Sequence, residues 1–390
     1  MKKLLRILSY IVTVLLTAYA VLSLQLHPVS VDNNSSAAAT KVNEIEQLLS
    51  QYYIDKYDAG KLADDAAAAA VASVGDRWAY YVPLSEMEQY KESNENEYCG
   101  VGIVIGDATQ QGYRITAVSE NSPAGRTGVL AEDELCTVAG QSVAGMERKE
   151  IQSRVRGEAG TEIELGFSRK GDPYTVVLRR EKVVTDVVSS RMIDDKIGYI
   201  RIENFMEHSA EQSKSAVERL MQSGAAGLVF DVRLNPGGEK KELVALLDYL
   251  LPEGKVFSGQ SYDGKVQDDY SDASCISLPM VVLIDRDTFS AAEFFAAALR
   301  EYNWAELVGQ KTTGKGNYQF TFPLSDGSAV AFSIGRYFTP KGINLSGVGV
   351  TPDYEAELGE EQRVLLYGGV LPDQEDLQLQ IALEVLHKNT

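Results

Sequence analysis

The residue types that most often carry catalysis are scarce in this sequence of 390 residues. Three histidines are present: His27 lies in a polar stretch near the N-terminus, His387 lies three residues from the end, and His208 is the one that could join a core site. A site with several histidine ligands and a Ser-His-Asp triad are therefore both disfavoured. The three cysteines share no short spacing, so neither zinc ligation nor a disulfide framework is supported.

Ser290 stands where a predicted strand gives way to a predicted helix, and it is the first candidate for a nucleophile. The segment 287–293 reads DTFSAAE, which places Glu293 three residues after Ser290. This spacing is typical of a capping box, in which the serine has a purely structural role. A hydroxyl here would also lie beside the amide of Ala291 and the positive end of the helix, which favour a nucleophile and its oxyanion. On the residues alone, both interpretations stay open.

Lys315 is the candidate base, because the histidine count nearly excludes histidine. Burial would lower the pKa of its amine and favour the neutral form that accepts a proton. The segment 309–316 (GQKTTGKG) also fits the start of a phosphate-binding loop, but Gly316 replaces the Ser or Thr that binds magnesium. Residues 317–322 (NYQFTF) alternate like a strand, whereas a phosphate loop must open a helix. The sequence favours a lysine base over a nucleotide site, provided that Ser290 and Lys315 converge.

A third segment, 231–238 (DVRLNPGG), ends a buried-looking strand in a Pro-Gly-Gly turn just before a predicted helix. Such a turn leaves amides free at the carboxyl end of a strand, which is where open α/β sheets bind ligands. A tight connection without a binding role is the alternative.

The chain around these three segments alternates strands and helices after a connector at 181–195. This order predicts α/β layers around a largely parallel sheet. The predicted strands cover 197–202, 227–232, 279–284 and 305–308, and the predicted helices cover 209–221, 239–251 and 290–302.

Residues 98–180 have a different texture, with short alternating strands separated by glycines. The loop Gly100-Val101-Gly102-Ile103 would point successive amides into one concavity, which suits the terminal carboxylate of a peptide that adds as an extra strand. The order of this loop, the SPA segment at 122–124 and the acidic turn at 132–134 resembles a PDZ domain. Glu132 stands where that family usually has glycine.

The composition bounds the possible partners. Acidic residues (56) outnumber basic ones (37), and the net charge of −19 argues against a nucleic-acid binder.

Near the N-terminus, three basic residues precede an uncharged stretch at 7–26, which is long enough to span a bilayer as a helix. The pattern predicts an uncleaved membrane anchor with the remainder exported, and signal cleavage after Ala20 is the alternative. Two helices are predicted next, at 42–53 and 61–74.

From Val42 to its end, the chain resembles the C-terminal processing, or tail-specific, serine peptidases. Five motifs in the family's order carry this resemblance, and the interval between Ser290 and Lys315 is also similar to the family's. The motifs are DVRLNPGG at 231–238, SAAE at 290–293, TGKGNYQ at 313–319, YFTPKG at 337–342 and GVTPD at 349–353.

The resemblance implies roles for individual residues. Ser290 would be the nucleophile and Lys315 the general base, with Gln319 orienting the lysine. The amides of Gly237 and Ala291 would form the oxyanion hole. Arg156 resembles an arginine that couples the PDZ domain to the protease site, although at a helix end it can equally be a cation that offsets the helix dipole. Phe289 and Thr288 depart from the small residues that usually precede the family's serine.

The expected fold class is α/β, with an α/β protease core of the ClpP/crotonase type. The expected domains are a membrane anchor at 1–30, a linker and helical arm at 31–90, a PDZ domain at 91–182, and a protease core with a C-terminal helical part at 183–390. The resemblance also implies a homodimer formed through the helical parts.

The expected function is that of a serine endopeptidase with a Ser-Lys dyad, which binds the C-terminal tails of exported proteins through its PDZ domain and cleaves them. The catalytic part would be extracytoplasmic and held at the cell membrane by the anchor. No metal, nucleotide or other cofactor is expected. Two rival classes remain, a catalytically inactive PDZ scaffold on a protease fold and, less favoured, a nucleotide-binding protein.

Overall fold

The computed structural model describes residues 36–388. The predicted anchor at 1–30 lies outside these residues. Among the helices described, none combines the length and the apolar character that a membrane span requires. The chain forms two compact units, Met1–Ser73 and Val74–Thr390.

The described part of the first unit contains the two helices expected from the sequence. Helix α1 (Ala37–Tyr52) begins after Ser36, whose side chain accepts a hydrogen bond from the amide of Ala39 at 3.2 Å. Helix α2 (Ala59–Ala72) begins after Asp58, which caps the helix by accepting from the amide of Lys61 at 3.1 Å. Several apolar side chains of this unit are exposed, among them Ile45, Leu48 and Tyr52.

The second unit opens with β1 (Tyr80–Val82), a 3₁₀ turn (Leu84–Glu86) and α3 (Met87–Glu95), and then forms a β-rich domain. Its sheet has the order β3-β4-β5-β7-β8 with β6 on β5, and every pairing is antiparallel. The elements are β2 (Glu97–Gly100), β3 (Ile103–Ala108), β4 (Tyr113–Val118), α4 (Pro123–Arg126), β5 (Glu134–Val138), β6 (Gln141–Ser142), α5 (Arg148–Val155), β7 (Glu162–Arg169), β8 (Asp172–Arg179) and β9 (Glu181–Val184).

Glu132 occupies the position where PDZ domains usually have glycine, and its φ is 72°. The turn is therefore kept in its left-handed conformation, at some cost in strain for a residue with a side chain. The carboxylate of the next residue, Asp133, is buried and holds the turn by accepting from the amide of Leu130 at 2.8 Å and from Arg169 at 2.7 Å. Strands β2 and β9 pair with each other as an antiparallel ribbon outside this sheet.

The remaining elements form the α/β core that the sequence predicts. In chain order they are β10 (Val188–Met192), β11 (Ile197–Ile202), α6 (Ser209–Gln222), β12 (Gly227–Asp231), α7 (Lys240–Leu250), β13 (Gly254–Ser261), β14 (Val266–Ser271), β15 (Met280–Ile284), α8 (Ala291–Glu301), β16 (Ala305–Gly309), β17 (Asn317–Pro323), β18 (Ala329–Phe338), β19 (Tyr354–Glu355), α9 (Glu360–Tyr367) and α10 (Leu377–His387).

The main sheet has the order β10-β11-β12-β15-β16-β19, and all its pairs are parallel except the β10 edge. Every residue of β12 and β15 is buried, as expected for strands covered by helices on both faces. Helices α6, α7 and α8 contribute to the hydrophobic core on one face, and α10 contributes to a separate core on the other.

A second sheet, which the sequence pattern did not predict apart from β17, has the order β1-β18-β13-β14, with β17 also paired to β18. Strand β1 precedes the β-rich domain in the chain and pairs with β18, which follows β16 of the main sheet in the chain. The β-rich domain is therefore inserted into the α/β unit between β1 and β10. Strands β1 and β17 both pair with β18. The residues just before β1 therefore lie next to β17, the strand that follows Lys315.

Part of the DVRLNPGG segment has a structural role at the edge of the core. The guanidinium of Arg233, 2% exposed, forms ion pairs with Asp231 at 2.6 Å and with Asp376 at 2.7 Å. It also donates to Gln378 at 2.9 Å, and so joins the end of β12 to the start of α10. Both acidic partners are buried as well.

Arg233→Ala should destabilise the protein by about 3–5 kcal/mol, because it leaves two buried carboxylates without the guanidinium that pairs with both. Denaturation in guanidinium chloride, followed by circular dichroism, measures this loss. The control is Arg219→Ala, at an exposed arginine on α6, which should change the free energy of unfolding by less than about 0.5 kcal/mol. A loss below about 1 kcal/mol for Arg233→Ala would show that the buried ion pairs do not hold α10 to the sheet.

Candidate active site

Ser290 lies directly before α8, with a φ of 59° that is unusual for a residue other than glycine. Two neighbours fix the loop that leads to it. The hydroxyl of Thr288 donates to the carbonyl of Val232 at 2.9 Å, and the amide of Phe289 donates to the carbonyl of Asn235 at 3.1 Å. Backbone strain of this kind persists where the surroundings over-determine it, and it clusters at functional sites.

Glu293 brings the serine and the lysine together. Its carboxylate is fully buried, and one oxygen accepts from the amides of Ser290 at 3.1 Å and Lys315 at 2.8 Å. The other oxygen accepts from the amide of Gly314 at 2.7 Å and the hydroxyl of Thr312 at 2.5 Å. Burial raises the pKa of Glu293, and the hydrogen bonds from Thr312, Lys315, Gly314 and Ser290 oppose this shift. The backbones of Ser290 and Lys315 therefore meet at a single carboxylate oxygen.

The Lys315 side chain is held in a partly buried environment. Its Nζ donates to Oε1 of Gln319 at 2.6 Å and lies 4.7 Å from the centre of the Trp78 ring. Burial lowers the pKa of Lys315 to about 8. The charge of Asp76 raises this pKa, that of Arg77 lowers it, and that of Glu293 raises it. At pH 7 roughly a tenth of the amine is therefore neutral and able to accept a proton, far more than for an ordinary lysine.

Residues of the YFTPKG and GVTPD segments form the wall behind the lysine loop. The phenol of Tyr337 donates to the carbonyl of Lys315. Burial raises the pKa of Tyr337 well above its usual range. Gly314 has a φ of 84°, and a β-carbon there would come 3.0 Å from the amide nitrogen of Gly349. The loop therefore needs glycine at this position for both conformation and space.

The Pro-Gly-Gly turn packs directly on the serine. A β-carbon on Gly237 would lie 2.7 Å from both the amide nitrogen of Ala291 and Cβ of Ser290. The amide of Ala291 is the first in α8, and a helix leaves its first amides without acceptors inside the helix. The amide of Gly237 donates to Oδ1 of Asn235 at 2.8 Å. The two predicted oxyanion-hole residues therefore lie beside Ser290, and Gly237 makes an internal hydrogen bond.

The predicted carboxylate loop of the PDZ domain joins β2 to β3. The carbonyl of Val101 accepts from the amide of Ala124 at 2.9 Å, and the carbonyl of Gly102 accepts from Ser119 at 2.9 Å. Gly102 has a φ of 82°, and a β-carbon there would lie 2.0 Å from Cβ of Ser122. These contacts fasten the loop, from Gly100 to Ile103, to the SPA segment.

Arg156 follows α5 in the PDZ domain. Its guanidinium forms an ion pair with Glu92 of α3 at 2.6 Å and lies 4.9 Å from the centre of the Tyr98 ring. The arginine thus contacts the element that leads into the PDZ domain. In the structure Arg156 contacts α3 and β2. These contacts do not test whether it couples the PDZ domain to the protease site, so that role stays a prediction.

Two contributions to the site were missed in the sequence. Asp76 and Trp78 precede β1, and no motif pointed to them. Glu293 was recognised as a capping residue, but its bonds to the lysine loop were not foreseen. Sequence spacing could not reveal these contacts, because they join segments that only the fold brings together.

Comparison with known proteins agrees with this architecture. The family model for peptidase family S41 matches residues 196–356, and that for the PDZ domain matches residues 89–168. A carboxy-terminal processing protease, CtpA of Bacillus subtilis (strain 168), is 30% identical over 316 residues, which cover 80% of this chain and 67% of that protein.

Two further relatives extend the comparison. The carboxy-terminal-processing protease of Bartonella bacilliformis (strain ATCC 35685 / KC583 / Herrer 020/F12,63) is 28% identical over 366 residues, which cover 90% of this chain and 82% of that protein. The crystal structure of a putative S41 protease from Bacteroides fragilis NCTC 9343 has the same fold, with a TM-score of 0.51 and 17% identity over 89% of this chain and 97% of that one. The chain therefore belongs to the carboxy-terminal processing proteases of peptidase family S41, and it is a serine-type endopeptidase with a PDZ domain.

Proposed function

We propose that this endopeptidase uses Ser290 as nucleophile and Lys315 as general base to cleave the C-terminal tails of exported proteins. One observation carries the proposal: the Glu293 carboxylate binds the amides of both residues, at 3.1 Å and 2.8 Å. Burial of the lysine supports its role, because a base must be neutral to accept the serine proton.

The reaction would proceed through an acyl-enzyme. Neutral Lys315 takes the proton of the Ser290 hydroxyl as the serine oxygen attacks the scissile carbonyl, and the amide of Ala291 donates to the resulting oxyanion. The protonated lysine then gives its proton to the leaving amine. Water attacks the acyl-enzyme with Lys315 again as base, which restores the serine. Gln319 holds the amine in place through its 2.6 Å hydrogen bond.

Gly237 would supply the second oxyanion donor. Its amide already donates to Asn235 at 2.8 Å in the structure. It would therefore share this hydrogen with the oxyanion or exchange partners when substrate binds.

The PDZ domain would capture the tail of the substrate. The backbone amides of the loop from Gly100 to Ile103 suit a terminal carboxylate, and the exposed edge of a neighbouring strand suits an added peptide strand. Tethering through the carboxylate raises the effective concentration of the tail at the protease site. We place this activity outside the cytoplasm, at the membrane, because basic residues precede the apolar stretch at 7–26.

A homodimer formed through the helical parts is a further part of the proposal. Apolar side chains of α1 are exposed, including Ile45 and Leu48 at 51% and 58%. A second copy of the chain would bury such a surface.

Ser290→Ala and Lys315→Ala should each reduce cleavage of a tailed substrate by about 100-fold or more, because each removes one half of the proton transfer. Cleavage is measured with a purified peptide, and circular dichroism checks that both variants fold. The matched control is Lys311→Ala, an exposed lysine in the same loop, which should keep wild-type turnover. Wild-type turnover in either dyad variant would exclude the dyad.

A fluorophosphonate probe separates this proposal from the alternative of an inactive PDZ scaffold. The peptidase should be labelled at Ser290, as identified by mass spectrometry, and Lys315→Ala should lose the label. A scaffold would bind tail peptides without labelling at Ser290.

The specificity constant, kcat/KM, should rise with pH to a plateau, with its midpoint near 8. Below that pH most of Lys315 is protonated and cannot act as a base, so activity is lost as the pH falls through this pKa. Rates measured between pH 6 and pH 10 at constant ionic strength test this profile. A flat profile over that range, or a midpoint near the 10.5 of an ordinary lysine, would contradict the proposed base.

A peptide with a free C-terminal carboxylate should bind Ser290→Ala protein at least about tenfold more tightly than the same peptide with an amidated C-terminus. The difference reflects charge-assisted hydrogen bonds from the loop amides to the carboxylate. Fluorescence anisotropy with labelled peptides gives both dissociation constants. Equal affinities would show that the carboxylate is not what the PDZ domain binds.

A further inference from the structure

A short segment before β1 completes the surroundings of the candidate base. Residues 76–78 lie outside the ranges matched by the PDZ and S41 family models. Asp76 anchors this segment: one carboxylate oxygen accepts from the amide of Trp78 at 3.0 Å, and the other accepts from the amide of Ser333 on β18 at 3.0 Å. The carboxylate therefore fixes Trp78 against the sheet that carries the lysine loop.

Trp78 contacts the base through its ring. The ring centre lies 4.7 Å from Nζ of Lys315, and the ring stacks on Phe289 at 5.3 Å with 29° between the planes. Phe289 directly precedes Ser290. The indole therefore covers the amine from one side and is supported by the residue next to the nucleophile.

Trp78 also acts through its backbone. Its carbonyl accepts a hydrogen bond from Nε2 of Gln319. Because the amide nitrogen of Gln319 is engaged there, its Oε1 faces Lys315 and accepts from Nζ at 2.6 Å. Reversal of this side-chain amide would place two acceptors, Oε1 of Gln319 and the carbonyl of Trp78, against each other. The carbonyl of Trp78 thus sets the orientation in which Gln319 can hold the amine.

The charged groups around the amine shift the pKa of Lys315 in opposite directions. Asp76 and Glu293 favour the protonated form, whereas Arg77 disfavours it. The phenol of Tyr337 lies on the backbone side, where it donates to the carbonyl of Lys315. The face of the Trp78 ring attracts an ammonium ion, but the same ring excludes water, and loss of water favours the neutral amine.

We propose that Trp78 is a positioning residue for the general base, with its ring shielding the Lys315 amine from water and its carbonyl orienting Gln319. This inference rests on the proposed Ser-Lys dyad. It extends the active site to a segment that precedes the PDZ domain in the chain. Shielding by the ring outweighs its attraction for the charged amine, so removal of the ring makes protonation easier.

The test compares the pH profile of kcat/KM, and of fluorophosphonate labelling, in Trp78→Ala and wild type. The ring's loss admits water to the amine, so the midpoint should move upward by about one pH unit or more. The rate at pH 7 then falls about tenfold, while the plateau at high pH stays within a few-fold of wild type. A role in folding alone would lower the rate at every pH without moving the midpoint.

Three further variants complete the design. Trp78→Tyr keeps an aromatic cover and should keep the wild-type midpoint. Glutamine is closer in size to tryptophan than alanine is, but it brings polar atoms to the amine, so Trp78→Gln should also raise the midpoint. This variant serves as the test if Trp78→Ala does not fold. Phe320→Ala removes an exposed aromatic ring next to Gln319 in the chain and should leave the midpoint unchanged.

The results distinguish this inference from the dyad itself. If Lys315→Ala retains activity, the dyad is wrong and the inference fails with it. If Lys315→Ala is inactive but folded Trp78→Ala and Trp78→Gln keep the wild-type midpoint or lower it, the dyad stands and the role of Trp78 is refuted.

Discussion

The carboxylate of Glu293 is the constraint on which the site depends. A carboxylate that is fully removed from water is costly unless donors surround it. Four donors do so here, and they come from two segments: the start of α8 and the loop from Thr312 to Lys315. The positive end of α8 contributes to the same balance. Because this buried carboxylate needs donors from both segments, its hydrogen bonds hold the lysine loop beside the serine.

Burial also sets the chemistry of the groups at the site. Exclusion of water raises the pKa of Glu293 and lowers that of Lys315, because in each case it disfavours the charged form. Glu293 is bonded through backbone amides, so its charge reaches the lysine amine only weakly compared with a direct ion pair. A carboxylate in direct contact with Nζ would hold the amine protonated. The arrangement therefore fixes the position of the lysine without holding its amine in the protonated form.

Much of the main sheet could be predicted from the sequence, because strands buried on both faces appear as continuous apolar runs. The five residues of β15, all buried, are such a run, and the strand at 317–322 followed from its alternation. The second sheet was harder to predict from the sequence. Its strands β13 and β14 form a hairpin that mixes polar and apolar residues, and β1 pairs with β18, which is distant in the chain. The contact of Trp78 with Lys315 depends on that long-range pairing, and no local pattern encodes it.

The DVRLNPGG and SAAE segments show why a motif does not reveal which of its residues do chemistry. Arg233 and Asp231 are among the most polar residues of the first segment, yet they are buried in ion pairs that hold α10. Gly237, with no side chain, is the residue that packs on Ser290. In the second segment, the serine lies in a capping box, and this does not exclude the proposed catalytic role. Glu293 accepts from the backbone amide of Ser290, so this half of the capping box does not use the serine hydroxyl.

Insertion of the PDZ domain after β1 has a physical consequence for the active site. Helix α3 lies between β1 and the PDZ domain in the chain, and it contacts both sides. Its Tyr90 hydroxyl bonds with Thr321 at 2.7 Å, on the strand that carries Gln319. Its Glu92 binds Arg156 of the PDZ domain at 2.6 Å. One short helix thus connects the PDZ domain to the strand that carries Gln319. The two contacts are made by residues only two positions apart in α3.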